Sequence, residues 1–228
     1  MAAAVAVVAA VMGVAVSRDA PAPAVAPFPA PPTEVVGATD SIPVAVIGDS
    51  ISAGTPYGGR GVTNWTALVE TAEHWLVTNT AIGGTGYVNA GSAAPFQAAQ
   101  LERAVAARPR LVVVEGSRND IGLPPEHVRN AADRLYRELT ARLPGTRIVV
   151  VGPFWNAGTS TKAFAVRDAL ASAARDAGAT FVDPMAENWF TGAYDGGPLI
   201  AADGVHPTDA GHALYARRLQ AALDRLGV

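Results

Sequence analysis

Ser50 follows directly on an apolar run, Val44–Ile47, inside Gly48-Asp49-Ser50-Ile51-Ser52. Gly48 lets the chain turn sharply as it leaves that run. A serine on such a turn, beside the bare N–H groups of a helix start, can attack an acyl carbon once a base removes its proton. The same tripeptide also serves as an ordinary turn or N-cap. Far along the chain, Asp203 and His206 stand three apart in Ala202-Asp203-Gly204-Val205-His206-Pro207-Thr208. At that spacing a carboxylate reaches one imidazole nitrogen, fixes the tautomer and stabilises the imidazolium that forms when the other nitrogen takes a proton. Thr208 or Asp209 would then cap a helix. Metal binding is the competing use of Asp and His, but the chain has four histidines and no paired ligand spacing. His212 falls six residues on, on the expected helix, and His74 and His127 read as helix-surface residues, so no metal site is expected.

Two further segments carry groups for an anionic oxygen. Asn79-Thr80-Ala81-Ile82-Gly83-Gly84-Thr85-Gly86 presents bare N–H groups at its glycines, Gly84 among them. A phosphate cradle is the alternative, but no lysine follows and the Gly-x-Gly-x-x-Gly pattern is not completed. In Glu115-Gly116-Ser117-Arg118-Asn119-Asp120, the amide of Asn119 can donate to a developing oxyanion, although Asn-Asp is equally a common turn pair. Asp49, Tyr57, Arg118 and Trp155 are the candidates for substrate contact. Tyr57 and Arg60 follow the serine loop, and Phe154 and Trp155 follow a strand, where they could stack on a sugar ring or line an acyl groove; the alternative for Trp155 is that it covers the core. No Gly-x-Ser-x-Gly occurs, so the strand–elbow–helix frame built on that motif is excluded.

These groups need a scaffold that brings positions about 150 residues apart to one place. Short β-branched runs at Val44–Ile47, Leu76–Thr78, Leu111–Val114, Ile148–Val151 and Thr180–Val182 read as strands buried on both faces. Between them, apolar residues at three- and four-residue spacing predict helices at Trp65–Trp75, Phe96–Ala107, Pro125–Leu143 and Lys162–Ala177, with a last helix at Ala210–Leu226. Strands alternating with helices predict a parallel five-stranded sheet in a three-layer α/β/α, flavodoxin-like fold. Ligands of such sheets bind outside the carboxyl ends of the strands. Ser50, Gly84, Asn119 and the Asp203/His206 pair all fall on that edge.

The chain has 228 residues, half of them apolar, with 17 cationic and 20 acidic side chains for a formal charge of −3. That length suits one α/β domain, here residues 41–228, and the acidic balance argues against a nucleic-acid surface. With no cysteine and a single lysine, Lys162, thiolate chemistry and disulfides are excluded and a Schiff base would rest on one residue. Residues 1–17 open with MAAAVAVVAAVMGVAV, short for a membrane span and closer to the core of a signal peptide; cleavage after Ser17 would satisfy the small-residue rule. Residues 18–40 are rich in Pro and Ala and read as an extended spacer. Together they predict export or attachment to the cell envelope, ahead of a frayed helix packed on the domain.

Taken in order, VIGDSISAG, NTAIGG, GSRND and DGVHPTDAGH resemble the four blocks of the GDSL, or SGNH, hydrolase family. The resemblance covers residues 42 to 226. Ile51 stands where the family usually has leucine, and Ser117 stands where the asparagine block usually has glycine, with Gly116 one residue back. The resemblance implies the SGNH hydrolase fold, Ser50 as nucleophile, His206 as general base and Asp203 as its orienting partner. It also implies an oxyanion hole from the backbone N–H groups of Ser50 and Gly84 and the side chain of Asn119, with no cofactor. The implied activity is hydrolysis of an acyl ester of a sugar, lipid or small alcohol through an acyl-enzyme. Transfer of the acyl group to a sugar acceptor, as in mycobacterial sugar octanoyltransferases, is the alternative within the family. A non-catalytic carbohydrate- or lipid-binding module is the alternative outside it.

Overall fold

The computed structural model describes residues 41–157, 160–191 and 198–228. The expected apolar segment 1–17 and spacer 18–40 lie outside them.

Five strands form one sheet: β1 (Ile42–Ile47), β2 (Trp75–Asn79), β3 (Leu111–Glu115), β4 (Arg147–Val151) and β5 (Thr180–Val182). All are parallel, in the order β2-β1-β3-β4-β5. The helices are α1 (Ser50–Ala53), α2 (Trp65–Glu73), α3 (Ala99–Ala106), α4 (Pro125–Arg142), α5 (Thr161–Asp176) and α6 (Asp209–Leu226). This is the doubly wound, flavodoxin-like order, in which the sense of winding through the sheet switches between β1 and β3. Pro43 is tolerated within this inner strand because β1 pairs with β3 only from Val44 onward.

Alternation along the strands divides the core in two. Ala45, Ile47, Val112, Val114 and Val150 face α3, α4 and α5, where Leu101, Leu135, Leu139 and Leu170 are fully buried. Val44, Val46, Val113, Val149 and Val151 face α2 and α6, packing on Trp65, Val69, Tyr215 and Leu219. The inner strands β1, β3 and β4 are covered on both faces, whereas the edge strand β2, expected to be buried on both, leaves Leu76 and Thr78 exposed because no helix covers that face at the sheet's rim. The parallel order puts all five carboxyl ends on one edge of the sheet.

Two expected boundaries move. His74 takes a left-handed conformation (φ 52°) that closes α2, so Trp75 belongs to β2 rather than to the helix before it. The helix expected from Phe96 starts at Ala99, and Phe96 is instead a buried loop residue packed on Tyr87. Among the described residues no helix is long and apolar enough to cross a membrane.

Candidate active site

The serine turn is built from below by buried polar groups. Asp49 caps α1, its Oδ1 accepting the Ile51 N–H at 2.9 Å, and so sets Ser50 at the first helical position. Gly48 is required by space: a Cβ there would lie 2.7 Å from Ser52 Oγ and 2.9 Å from Glu115 Oε2. Its N–H donates to Gln100 Oε1 at 3.0 Å, and Gln100 Nε2 donates in turn to Thr85 Oγ1 at 2.9 Å. One buried amide therefore ties the serine turn to the glycine loop. Ser52 donates to Glu115 at 2.7 Å, joining the same turn to the end of β3.

The segment before α6 delivers the imidazole. Thr208 caps α6 by accepting the Gly211 N–H, and Ala201 N–H donates to His206 O at 2.8 Å, closing a compact turn around Gly204 (φ 69°). Asp203 Oδ1 accepts the N–H groups of Val205 and His206 at 2.9 and 3.0 Å, while its Oδ2 lies 2.6 Å from His206 Nδ1. That hydrogen bond to His206, helped by the two backbone N–H groups, pulls the Asp203 carboxyl down to about 2. An ionised carboxylate only accepts, so Nδ1 carries the proton and Nε2 is left as the acceptor. Nε2 stands 2.9 Å from Ser50 Oγ.

The glycine loop runs alongside this pair, held to the serine turn by Ile82 N–H donating to Gly48 O at 3.1 Å. A Cβ on Gly83 would lie 3.7 Å from Ser50 Cβ, and Gly84 has φ 76°, a conformation that favours glycine. Neither the Ser50 nor the Gly84 N–H has an acceptor among the described residues. Asn119 joins them from a 3₁₀ turn (Arg118–Asp120), but its amide is already engaged, donating to Thr85 O at 2.8 Å and to Asp49 Oδ2 at 3.3 Å. Its neighbour Asp120 clamps the far side of the glycine loop, accepting the N–H groups of Tyr87, Asn89 and Val88 at 2.7, 2.9 and 3.3 Å.

Burial gives these acids unequal character. Asp49, 1% exposed, is pushed up to about 6 by burial, against the pull of the Ile51 and Arg118 N–H groups. Glu115 is pushed well above the ordinary carboxylate range, first by burial and then by the charge of Asp49. Burial likewise raises Asp120.

The expected substrate contacts separate. Asp49 is corrected: its carboxylate points inward to Ile51 and Asn119 and is closed to solvent, because a cap must face its own helix start. Tyr57 stands open beside the site, its ring stacked on that of His206. Arg118 lies over Trp155, its guanidinium 4.5 Å from that ring's centroid, and donates to Asn156 Oδ1 at 3.0 Å. Asn156 donates to Gly204 O at 3.2 Å, so Arg118, Trp155 and Asn156 brace the turn that carries Asp203 and His206. Gln100, Glu115, Asp120 and Asn156 escape sequence reasoning. Each has a type common on surfaces, and only Asp120, within the Asn-Asp pair, carried any signal.

His212 lies on α6, as expected, and is buried there. It accepts the Trp65 N–H through Nδ1, and burial depresses it to about 4.

A hydroxyl hydrogen-bonded to an imidazole that a carboxylate holds, beside N–H groups with no partner of their own, is the equipment of serine-dependent hydrolases, here mounted on a flavodoxin-order sheet. Over residues 46–214 the sequence matches the model of the GDSL-like lipase/acylhydrolase family, and the chain belongs to it. It is 39% identical over 186 residues to a GDSL lipase of Mycobacterium tuberculosis, covering 78% of this chain and 79% of that one. Among solved structures it resembles an acetylxylan esterase from Geobacillus stearothermophilus, with a TM-score of 0.64 at 21% identity over 82% of this chain and 94% of the other. It also resembles TesA, with a TM-score of 0.63 at 23% identity over 81% of this chain and 99% of the other. The resemblance read from the four sequence blocks, and the fold it implied, are thereby borne out.

Proposed function

We propose that the protein is an esterase that passes the acyl group of its substrate first to Ser50 and then to water. The observation that carries this reading is the 2.9 Å contact from Ser50 Oγ to His206 Nε2, with Asp203 on the far side of the ring. Ser50 Oγ attacks the carbonyl carbon while His206 Nε2 takes its proton. As the bond to the alcohol breaks, that proton passes to the leaving oxygen. Water then adds to the acyl-enzyme, gives its proton to His206, and the acid leaves as Ser50 is restored. The N–H groups of Ser50 and Gly84 meet the negative oxygen of each tetrahedral intermediate. Asn119 adds a third donor by sharing the N–H now held at 3.3 Å by Asp49, the longer and weaker of its two contacts.

Water as acceptor is supported by the 22% exposure of both the Asp203 and the His206 side chains, which leaves the ring open to solvent. The lipase and acetylxylan esterase named above support ester hydrolysis as the reaction class. A fluorophosphonate probe tests the assignment: it should label the wild type and leave Ser50→Ala unlabelled. A panel of nitrophenyl esters of increasing chain length should lose turnover by about a thousandfold or more in Ser50→Ala. Near-full esterase activity in that variant overturns the reading, and an unlabelled wild type favours the binding module. Acylated sugar formed when a sugar acceptor is added would replace hydrolysis by transfer.

A further inference from the structure

The acyl-transfer reading gives no role to an aromatic face beside its base. Tyr57 is 53% exposed, and its ring lies nearly parallel to that of His206, with centroids 5.9 Å apart and planes inclined by 11°. The loop that carries it is fitted to this place. A Cβ on Gly58 would approach the Thr208 carbonyl carbon to 2.6 Å, and one on Gly59 would meet His212 Nε2 at 2.1 Å. Only glycines following the tyrosine let the loop lie against the start of α6. Backbone bonds between Thr55 and Gly58 close the loop on itself. Asp209 Oδ1 then accepts Gly59 N–H at 2.9 Å and Thr63 Oγ1 at 2.8 Å, while Asn64 donates to Gly59 O at 2.8 Å. An exposed tyrosine on a loop anchored so closely is a fixed surface.

Its position follows from the proton's route. If His206 Nε2 returns the serine proton to the leaving oxygen, that oxygen comes within hydrogen-bond reach of the ring on which Tyr57 stacks. The alcohol half of the ester must therefore leave past Tyr57. Tyr57 is also one wall of an open hollow of about 270 Å³, lined further by Thr55, Pro56, Gly58, Arg60, Thr63 and Asp209. A long alkyl alcohol would call for apolar walls, and a strongly ionic one for charge of a single sign. Here apolar and polar walls are about evenly mixed: Tyr57 and Pro56 stand with two hydroxyls, a guanidinium and a carboxylate, so donors and acceptors of both signs flank a stacking platform. Resting on the acyl-transfer reading, we infer that Tyr57 and this hollow form a subsite for the alcohol half of the substrate, and that this alcohol is a ring polyol of the sugar class.

The test compares two esters of one acyl group, a singly acylated methyl glucopyranoside and the corresponding ethyl ester, in the wild type, Tyr57→Ala and Tyr57→Phe. The wild type should show the higher kcat/KM on the sugar ester. Tyr57→Ala should lower the ratio of sugar to ethyl ester by about tenfold, and Tyr57→Phe, which keeps the stacking face, should hold it within about twofold. A ratio unmoved in Tyr57→Ala, because both esters suffer alike or neither does, overturns the subsite, as does a wild type that prefers the ethyl ester. Fluorophosphonate labelling separates the two layers: a labelled Ser50 with an unmoved ratio sinks the subsite alone, and an unlabelled Ser50 with no turnover of either ester sinks both.

Discussion

Asn119 donates one amide hydrogen to Asp49 Oδ2 at 3.3 Å and the other to Thr85 O at 2.8 Å. Asp49 spends its other oxygen on the Ile51 N–H at 2.9 Å, so a single buried carboxylate holds both the serine turn and the orientation of the amide. An ionised carboxylate accepts and never donates, which tells the amide which end to turn toward it. An expected substrate contact thus becomes the group that aims the proposed oxyanion donor.

Asp49→Asn separates these roles. A second amide at this place sets a donor against a donor, so Asn119 should rotate, and kcat should fall by about tenfold or more with little change in KM. The variant should also gain relative stability as pH rises. Burial raises the Asp49 carboxyl from 3.8 to about 6, so the stability it confers is complete below 3.8 and is lost as pH rises through 6. Removing that titration should improve the variant relative to the wild type by about 2 kcal/mol between pH 4 and pH 8. Urea unfolding at the two pH values measures the difference, and one that does not change with pH would show that Asp49 carries no strained charge.

Asn119→Ala removes one donor of three and leaves the nucleophile in place. Turnover should fall by roughly a hundredfold, more in kcat than in KM, while fluorophosphonate still labels Ser50 at a reduced rate. Wild-type kcat in this variant would assign the oxyanion to the Ser50 and Gly84 N–H groups alone.

Glu115 takes no part in the proposed reaction, yet it receives the Ser52 hydroxyl at 2.7 Å and is 2% exposed. Glu115→Gln keeps an acceptor of the same length and should retain both fold and activity. Glu115→Ala strands the Ser52 hydroxyl in the core and should cost about 1–3 kcal/mol in urea unfolding. Equal behaviour of the two variants would contradict this account.

His212 supplies an acid-side term of opposite sign to Asp49. Burial lowers it from 6.5 to about 4, so the folded protein prefers the neutral ring that accepts the Trp65 N–H. Below 6.5 the unfolded chain binds a proton that the folded one refuses. Stability therefore declines as pH falls from 6.5 to about 4 and this contribution levels off below that, for a total of about 3 kcal/mol. In His212→Asn, which retains a side-chain acceptor, the slope of stability against pH across this window should flatten. An unchanged slope would place the titration elsewhere.

Asn156→Ala cuts the brace on Gly204 O without touching Asp203 or His206. The turn that carries both should loosen, and kcat should fall by about tenfold at nearly constant KM, because a base displaced by a fraction of an ångström loses its alignment before substrate binding suffers. A change confined to KM would instead make Asn156 a substrate contact.

What could be read from the chain alone was whatever depends on near neighbours in sequence. Strand runs such as Val44–Ile47 and Leu111–Val114 and the helical spacing of Pro125–Leu143 follow from local periodicity, so they lie within a residue or two of β1, β3 and α4. The Asp203–His206 contact was legible for the same reason, being three residues long. So was the edge of the sheet to search, because alternating strands and helices leave a parallel sheet only one set of carboxyl ends.

Only the tertiary structure decided which polar groups face inward. Gln100 reaches Gly48 across 52 positions and His212 reaches Trp65 across 147. Helical spacing puts His212 on the same face of α6 as Tyr215, Ala216 and Leu219, but nothing local names the partner that each of these two side chains meets. The inward turn of Asp49, the brace from Asn156 and the stacking of Tyr57 on His206 likewise depend on how loops from different strands pack together. Burial of a polar group becomes tolerable only when a partner is brought to it. That partner is chosen by the fold, not by the neighbouring residues.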